Sequence, residues 1–88
     1  MFKKNPIKNK LQELLSKLLI LKPSGEIKQI VEEYIEYKEY GLAFEHITYE
    51  LHENELSISN EYFLQLHETG KALGFAKEEY AFLKELIR

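Results

Sequence analysis

The chain of 88 residues has no cysteine, no aspartate and only two prolines. Without cysteine it has neither a disulfide framework nor a thiolate metal site, and this fits a reducing compartment. The longest apolar run, residues 18–21, is four residues long, far below the roughly 18 that a membrane span needs. The basic first ten residues have no apolar segment behind them, so we expect no signal peptide, no membrane association and a cytoplasmic location.

Apolar residues recur at three- and four-residue spacings, which is the pattern of amphipathic helices, and no segment alternates in the manner of a strand. The sequence therefore predicts an all-α fold, a compact bundle of about five short helices. The expected helices span residues 7–21, 25–40, 42–54, 60–73 and 77–87. The length indicates a single domain covering residues 1–88, with residues 1–6 flexible. The side chains predicted to face the core are Ile7, Leu11, Leu14, Leu15, Leu18, Leu19, Ile27, Ile30, Val31, Tyr34, Ile35, Ala43, Phe44, Ile47, Leu51, Tyr62, Phe63, Leu66, Leu73, Tyr80, Leu83 and Ile87.

Serine and glycine mark the expected helix ends. Ser24 and Ser59 are suitable N-cap residues for the second and fourth helices. Gly41 is expected to end the second helix, and Gly74 to follow the fourth as its C′ residue. Gly70 lies inside the fourth helix, where glycine costs about 1 kcal/mol relative to alanine. Close approach of a neighbouring helix would explain its presence.

The net charge of −3 is unevenly distributed. Residues 1–24 carry a net charge of +5, and residues 25–88 a net charge of −8. From Glu39 through Gly70 there are seven glutamates and no lysine or arginine. A negatively charged surface attracts cationic partners. It also opposes binding to nucleic acid, whose affinity depends on neutralised phosphates, so we expect no direct nucleic-acid binding.

The sequence contains none of the motifs that carry catalysis or metal binding. His46, His52 and His67 are six and fifteen residues apart, so they form neither an i, i+4 pair nor an HExxH motif. There is no glycine-rich phosphate loop, no nucleophile elbow and no cysteine–histidine pairing. We therefore expect no enzymatic activity, no metal and no cofactor.

Acidic and aromatic residues together suggest a surface for protein recognition, because exposed tyrosines are common interface hot spots. In the third predicted helix they form a stripe opposite the buried positions. The first candidate patch comprises Glu45, Tyr49, His52, Glu53, Glu55 and Glu61. The second candidate patch comprises Glu36, Tyr37, Glu39 and Tyr40. Alternatively, Tyr37 and Tyr40 pack on neighbouring helices with only their hydroxyl groups in water.

Four segments of the chain resemble the MafI-type immunity proteins of bacterial toxin–immunity systems. The first is Val-Glu-Glu-Tyr-Ile-Glu-Tyr-Lys-Glu-Tyr-Gly-Leu-Ala-Phe-Glu at residues 31–45, and the second is Leu-His-Glu-Asn-Glu at residues 51–55. The others are Ser-Ile-Ser at 57–59 followed by Glu-Tyr at 61–62, and Leu-Gly at 73–74. In this pattern Gly41, Ala43 and Ser59 look structural, so the resemblance identifies a scaffold rather than a site.

The resemblance implies a helical inhibitor that binds the C-terminal toxin domain of a contact-delivered effector in the bacterial cytoplasm. Toxins associated with such proteins are often ribonucleases, either EndoU-type or RNase A-like. The active-site face of a ribonuclease must be basic, so an acidic helical face is the expected complement. Two other interpretations remain open from the residues. One is a non-enzymatic adaptor for a basic or amphipathic segment of a non-toxin partner. The other is homodimerisation through the leucine-rich first helix, although we expect a monomer.

Overall fold

The computed structural model describes residues 5–88 as a bundle of four α-helices followed by two short 3₁₀ helices. The helices are α1 (Pro6–Leu21), α2 (Gly25–Glu36), α3 (Tyr40–Glu53), α4 (Asn60–Ala72), η1 (Lys77–Glu79) and η2 (Ala81–Leu86). The predicted all-α class is confirmed. In the described residues the sole bridge between extended segments joins Ile58 and Ile87, and none of the helices has the length and apolar character to cross a membrane.

The start of α1 differs from the sequence-based expectation. The predicted flexible segment covers residues 1–6, of which residues 1–4 lie outside the described part of the chain. Asn5 is the N-cap of α1, and its side chain accepts a hydrogen bond of 3.0 Å from the Lys8 N–H. Pro6 occupies the first helical turn, where its fixed φ suits a helix and its missing N–H costs nothing. Helix α1 therefore begins one residue earlier than expected, at Pro6.

Helix α1 is the central element of the core. Its side chains Leu11, Leu14 and Leu18 are completely buried, and the helix packs against α2, α3 and α4. Most of the predicted core residues are buried, whereas a few at its edge are half-buried. These half-buried residues are Ile7, Leu19, Ile30, Tyr34, Leu73 and Ile87.

Three of the four α-helices end in the same left-handed turn. Lys38, Glu55 and Gly74 have φ angles of 59°, 46° and 85°. At the end of α2 the Glu39 N–H donates to the Tyr34 carbonyl at 2.8 Å, which is the long hydrogen bond of a Schellman motif. The prediction that Gly41 ends this helix was therefore wrong, because Lys38 provides the turn and Gly41 lies within α3.

The C-terminal segment was expected to be an α-helix, but it forms the two 3₁₀ helices η1 and η2. Tyr80, Leu83 and Leu86 are buried, and their spacing of three residues matches the three residues per turn of a 3₁₀ helix. The sequence pattern had placed Ile87, rather than Leu86, in the core. The Ile58 N–H donates to the Leu86 carbonyl at 2.9 Å, which ties the segment to the loop before α4.

Gly70 is explained by the position of the Tyr80 ring. A Cβ at Gly70 would lie 2.7 Å from Tyr80 Cε1 and 3.1 Å from Phe44 Cζ. The Phe44 and Tyr80 rings themselves pack edge to face with centroids 5.9 Å apart. The expected close approach exists, but the neighbours are two aromatic rings rather than the backbone of another helix.

Gly70→Ala displaces two packed rings, which costs roughly 1–3 kcal/mol, and gains roughly 1 kcal/mol of helix propensity. We therefore expect a net destabilisation of up to about 2 kcal/mol. The measurement is urea unfolding followed by circular dichroism. Gly25→Ala is the matched control, since no atom lies within 4 Å of a Cβ there. A Gly70→Ala variant as stable as the wild type would contradict this packing.

We expect Lys38→Gly to stabilise the fold by about 0.5–1 kcal/mol, because glycine adopts the left-handed conformation without steric cost. Thermal unfolding of Lys38→Gly and Lys38→Ala separates conformation from charge. Both variants lose the ammonium group, but only glycine relieves the backbone. If Lys38→Ala were stabilised as much as Lys38→Gly, the added stability would come from loss of the charge and not from relief of the left-handed backbone.

Candidate functional site

The surface formed by α2 and α3 carries a distinctive set of exposed and half-buried side chains. The two helices are joined by residues 37–39 and pack against each other. Each presents residues at positions i, i+3, i+4 and i+7, which share one face of a helix. The residues are Ile30, Glu33, Tyr34 and Tyr37 on and just after α2, and Leu42, Glu45, His46 and Tyr49 on α3. Both sets have the same chemical order, namely an aliphatic residue, glutamate, an aromatic ring and tyrosine. We call this surface the α2–α3 groove.

Two cavities open along the α2–α3 groove. The larger, of about 440 Å³, is lined at one end by Tyr37 and Glu39. The smaller, of about 220 Å³, is lined at the other end by Glu45 and Tyr49. Their complete linings are Ile30, Glu33, Tyr34, Tyr37, Glu39 and His46 for the larger, and Tyr34, Leu42, Glu45, His46 and Tyr49 for the smaller.

Tyr34 and His46 line both cavities and thus form the wall between them. Their rings meet edge to face with centroids 6.5 Å apart. The His46 ring also lies 6.2 Å from the ring of Tyr49. Three aromatic rings therefore follow one another across the groove from α2 to α3.

The outer rings of the groove are strongly exposed. Tyr37 is 75% exposed and Tyr49 is 55% exposed. Leu42, between them in sequence, is 42% exposed. Large side chains left in water beside a concave surface are available for contact with a partner.

The electrostatic character of the groove is acidic. Glu33, Glu39 and Glu45 contribute to its lining, and no lysine or arginine does. Outside the groove, one glutamate of the lysine-free segment 39–70 is paired with a cation. The single ion pair within residues 5–88 joins Lys10 Nζ of α1 to Glu68 of α4 at 3.6 Å. The glutamates of the groove have no such ion pair within these residues.

His46 has an unusual environment. Its Nε2 is buried and has no hydrogen-bond partner within residues 5–88, and it is the one buried side-chain nitrogen or oxygen there in that condition. Buried polar atoms normally have partners, because an unpaired one loses its hydration without compensation. The unpaired nitrogen is therefore a local energetic cost of packing the His46 ring between α2 and α3.

The structure separates the residues predicted for the binding surface. Glu45 and Tyr49 of the first patch and Tyr37 and Glu39 of the second come together along the α2–α3 groove. The remaining residues of the first patch are exposed but do not line it. They are His52, Glu53, Glu55 and Glu61. The His52 ring instead packs edge to face on Phe82 at 5.0 Å.

Two residues of the second patch lie elsewhere. Glu36 lines a different groove of about 480 Å³ between α1 and α2. Tyr40 is half-buried against the core, and its hydroxyl accepts a hydrogen bond of 2.8 Å from Asn5 Nδ2. The alternative of a packed tyrosine with a wet hydroxyl is therefore confirmed for Tyr40 and wrong for Tyr37.

Five residues of the groove belong to neither predicted patch, namely Ile30, Glu33, Tyr34, Leu42 and His46. Ile30 and Tyr34 follow the helical spacing of the buried face, which predicts core positions for them. A signal was nevertheless present, since the i, i+3, i+4, i+7 series starting at Ile30 recurs twelve residues later at Leu42.

The two most buried tyrosines serve the core rather than the groove. The Tyr62 hydroxyl donates to the Leu14 carbonyl at 2.7 Å, and the Tyr80 hydroxyl lies 2.8 Å from His67 Nδ1. Burial raises the pKa of the Tyr62 phenol, and burial with a smaller contribution from Glu78 raises the pKa of Tyr80. Among residues 5–88 no three histidine or acidic side chains are grouped as a metal site would need.

No family model, curated protein or solved structure matches this chain. The resemblance to MafI-type immunity proteins therefore remains a prediction from the residues. The structural evidence on function is the exposed aromatic and acidic lining of the groove.

We expect the free energy of unfolding to fall as pH rises above the ordinary tyrosine pKa of 10.0. There the unfolded chain loses phenolic protons that folded Tyr62 and Tyr80 retain, so ionisation favours unfolding. Each tyrosine contributes a slope of at most about 1.4 kcal/mol per pH unit. Urea unfolding at several alkaline pH values should give a shallower slope for Tyr62→Phe than for the wild type. Equal slopes for Tyr62→Phe and the wild type would contradict this role of the buried phenol.

Proposed function

We propose that this chain is an immunity protein, which binds a cognate bacterial toxin domain in the cytoplasm and neutralises it without any chemistry of its own. The observation that carries the proposal is the α2–α3 groove, where Tyr37 and Tyr49 stand exposed among three glutamates. Its chemistry suits a basic protein surface. The resemblance of residues 31–45 to the immunity family supplies the biological context.

The proposed toxin class is a ribonuclease, either EndoU-type or RNase A-like. A ribonuclease concentrates positive charge where RNA binds, because it must hold phosphates. An acidic inhibitor placed over that surface gains electrostatic attraction and blocks access to the substrate. The same complementarity speeds association, whereas buried aromatic anchors mainly slow dissociation.

A small rigid inhibitor fits this mode of action. Helices α2 and α3 are held in place by their packing against α1, so the side chains of the groove are positioned before binding. Preorganisation reduces the conformational entropy lost on association. The proposed inhibition is therefore steric and electrostatic, with a stoichiometry of one chain per toxin domain.

The direct test is to co-express the chain with the toxin domain encoded immediately upstream and to measure affinity by calorimetry. We expect a nanomolar complex and rescue of cell growth. Affinity should weaken from about 50 mM to 300 mM salt, because exposed charges are screened over about 10 Å at 0.1 M. No complex and continued growth arrest would refute the immunity function and leave an adaptor for a different basic partner.

We expect Tyr49→Ala combined with Glu53→Lys to weaken toxin binding by roughly 2–4 kcal/mol, because the double variant removes an anchor and reverses a charge. Both residues are exposed, so the helical content should not change. The matched control is Ile20→Ala with Glu13→Lys, which makes the same kinds of change at exposed positions of α1. Equal affinity for the two double variants would place the interface away from α3.

A further inference from the structure

We propose that the α2–α3 groove binds two neighbouring arginine side chains of its protein partner, one in each cavity. This inference rests on the proposed function, because it specifies what the groove recognises on a basic toxin surface. It follows from the shape, aromatic lining and charge of the two cavities.

Each cavity combines an exposed tyrosine ring with glutamate. In the larger one, Tyr37 is accompanied by Glu33 and Glu39, and in the smaller one Tyr49 is accompanied by Glu45. A cation over an aromatic face is attracted by the ring quadrupole, and a nearby carboxylate adds charge attraction and hydrogen bonds. Both cavities therefore have the features that bind a cationic side chain.

Arginine fits this lining better than lysine does. The guanidinium group is planar, stacks on aromatic rings and is more weakly hydrated than an ammonium group, and its fork of N–H donors matches a carboxylate. The rings of the lining suit the stacking of a guanidinium group, and the carboxylates suit its fork of donors. A guanidinium group only donates hydrogen bonds, and Glu33, Glu39 and Glu45 provide the acceptors.

The shared wall explains why two side chains bind together. Tyr34 and His46 line both cavities, so occupants of the two cavities lie on opposite sides of one edge-to-face ring pair. The half-buried His46 ring also packs 6.2 Å from the ring of Tyr49, so the shared wall is continuous with the exposed ring of the smaller cavity.

The test uses the full chain labelled with ¹⁵N, titrated separately with tetra-arginine and tetra-lysine peptides at low salt. We expect amide shifts concentrated at Tyr37, His46 and Tyr49, and tetra-arginine binding at least threefold tighter than tetra-lysine. Equal affinity for the two peptides, or shifts spread over all acidic residues, would overturn the proposal in favour of general charge attraction.

Variants then test the rings and the carboxylates separately. Tyr37→Ala with Tyr49→Ala should weaken tetra-arginine binding on the order of tenfold, since two exposed cation–π contacts are lost, whereas the corresponding double Phe variant should bind nearly as well as the wild type. Exposed Phe82→Ala is the control for loss of an aromatic ring outside the groove. Wild-type affinity in the double Ala variant would overturn the proposal.

The carboxylate variant is Glu33→Gln with Glu45→Gln, compared with Glu13→Gln and Glu85→Gln, which make the same change in net charge outside the groove. We expect at least a fivefold larger loss of tetra-arginine affinity in the groove variant. Equal losses in the two variants would show that net charge alone decides binding and would overturn the proposal.

The same variants distinguish this inference from the proposed function. A toxin domain that binds tightly and equally to the wild type and to the groove variants would uphold immunity and overturn the arginine sites. Selective binding of tetra-arginine in the groove, with no complex between the chain and the upstream toxin domain, would support the arginine sites and refute immunity.

Discussion

Burial of the leucine stripe of α1 is the constraint on which the rest of the structure depends. Leu11, Leu14 and Leu18 have no exposed surface, and α2, α3 and α4 all pack against this helix. The apolar faces of α2 and α3 pack against α1. Polar and aromatic residues therefore occupy the other sides of these two helices. The same packing covers Leu11, Leu14 and Leu18 within one chain, whereas Ile20 and Leu21 at the end of α1 stay exposed.

The C-terminal segment completes the core mainly by inserting one aromatic ring, that of Tyr80. Tyr80 enters beside Gly70 and Phe44 at distances that leave no room for a side chain on α4. Its hydroxyl is paired with His67, so the polar end of the ring is satisfied where the ring is buried. An 88-residue chain buries a modest fraction of its surface, and one large side chain inserted at the end of the chain adds considerably to its core.

The distribution of charge changes when the chain folds. In sequence, residues 39–70 form a uniform acidic window, but the packing of α1 on α4 brings Lys10 to Glu68 and Lys17 Nζ within 2.8 Å of Gln65 Oε1. The α2–α3 groove, where glutamates alternate with aromatic rings, has no lysine or arginine in its lining. The nearest cation in sequence is Lys38, which lies between the lining residues Tyr37 and Glu39. Long-range attraction and short-range contact can therefore act at the same surface.

Local sequence patterns are sufficient to predict the all-α class, the serine caps at Ser24 and Ser59, and nearly all of the buried positions of α1 and α3. These features depend on contacts within a few residues, and helical periodicity reports such contacts directly. The sequence also predicted that Tyr37, Glu39, Glu45 and Tyr49 lie at the surface, where the structure places them. Their polarity and spacing are local properties.

Other features depend on residues that are distant in sequence, and these appear only in the folded protein. Only the fold reveals that Lys38 rather than Gly41 turns the chain after α2, because a left-handed lysine is tolerated when the packing of α2 and α3 requires it. Tyr34 has the spacing of a core residue, yet together with His46 it forms the wall of a surface groove because α2 and α3 lie side by side. Periodicity states which residues share a face, but which faces are covered is decided when the helices pack together.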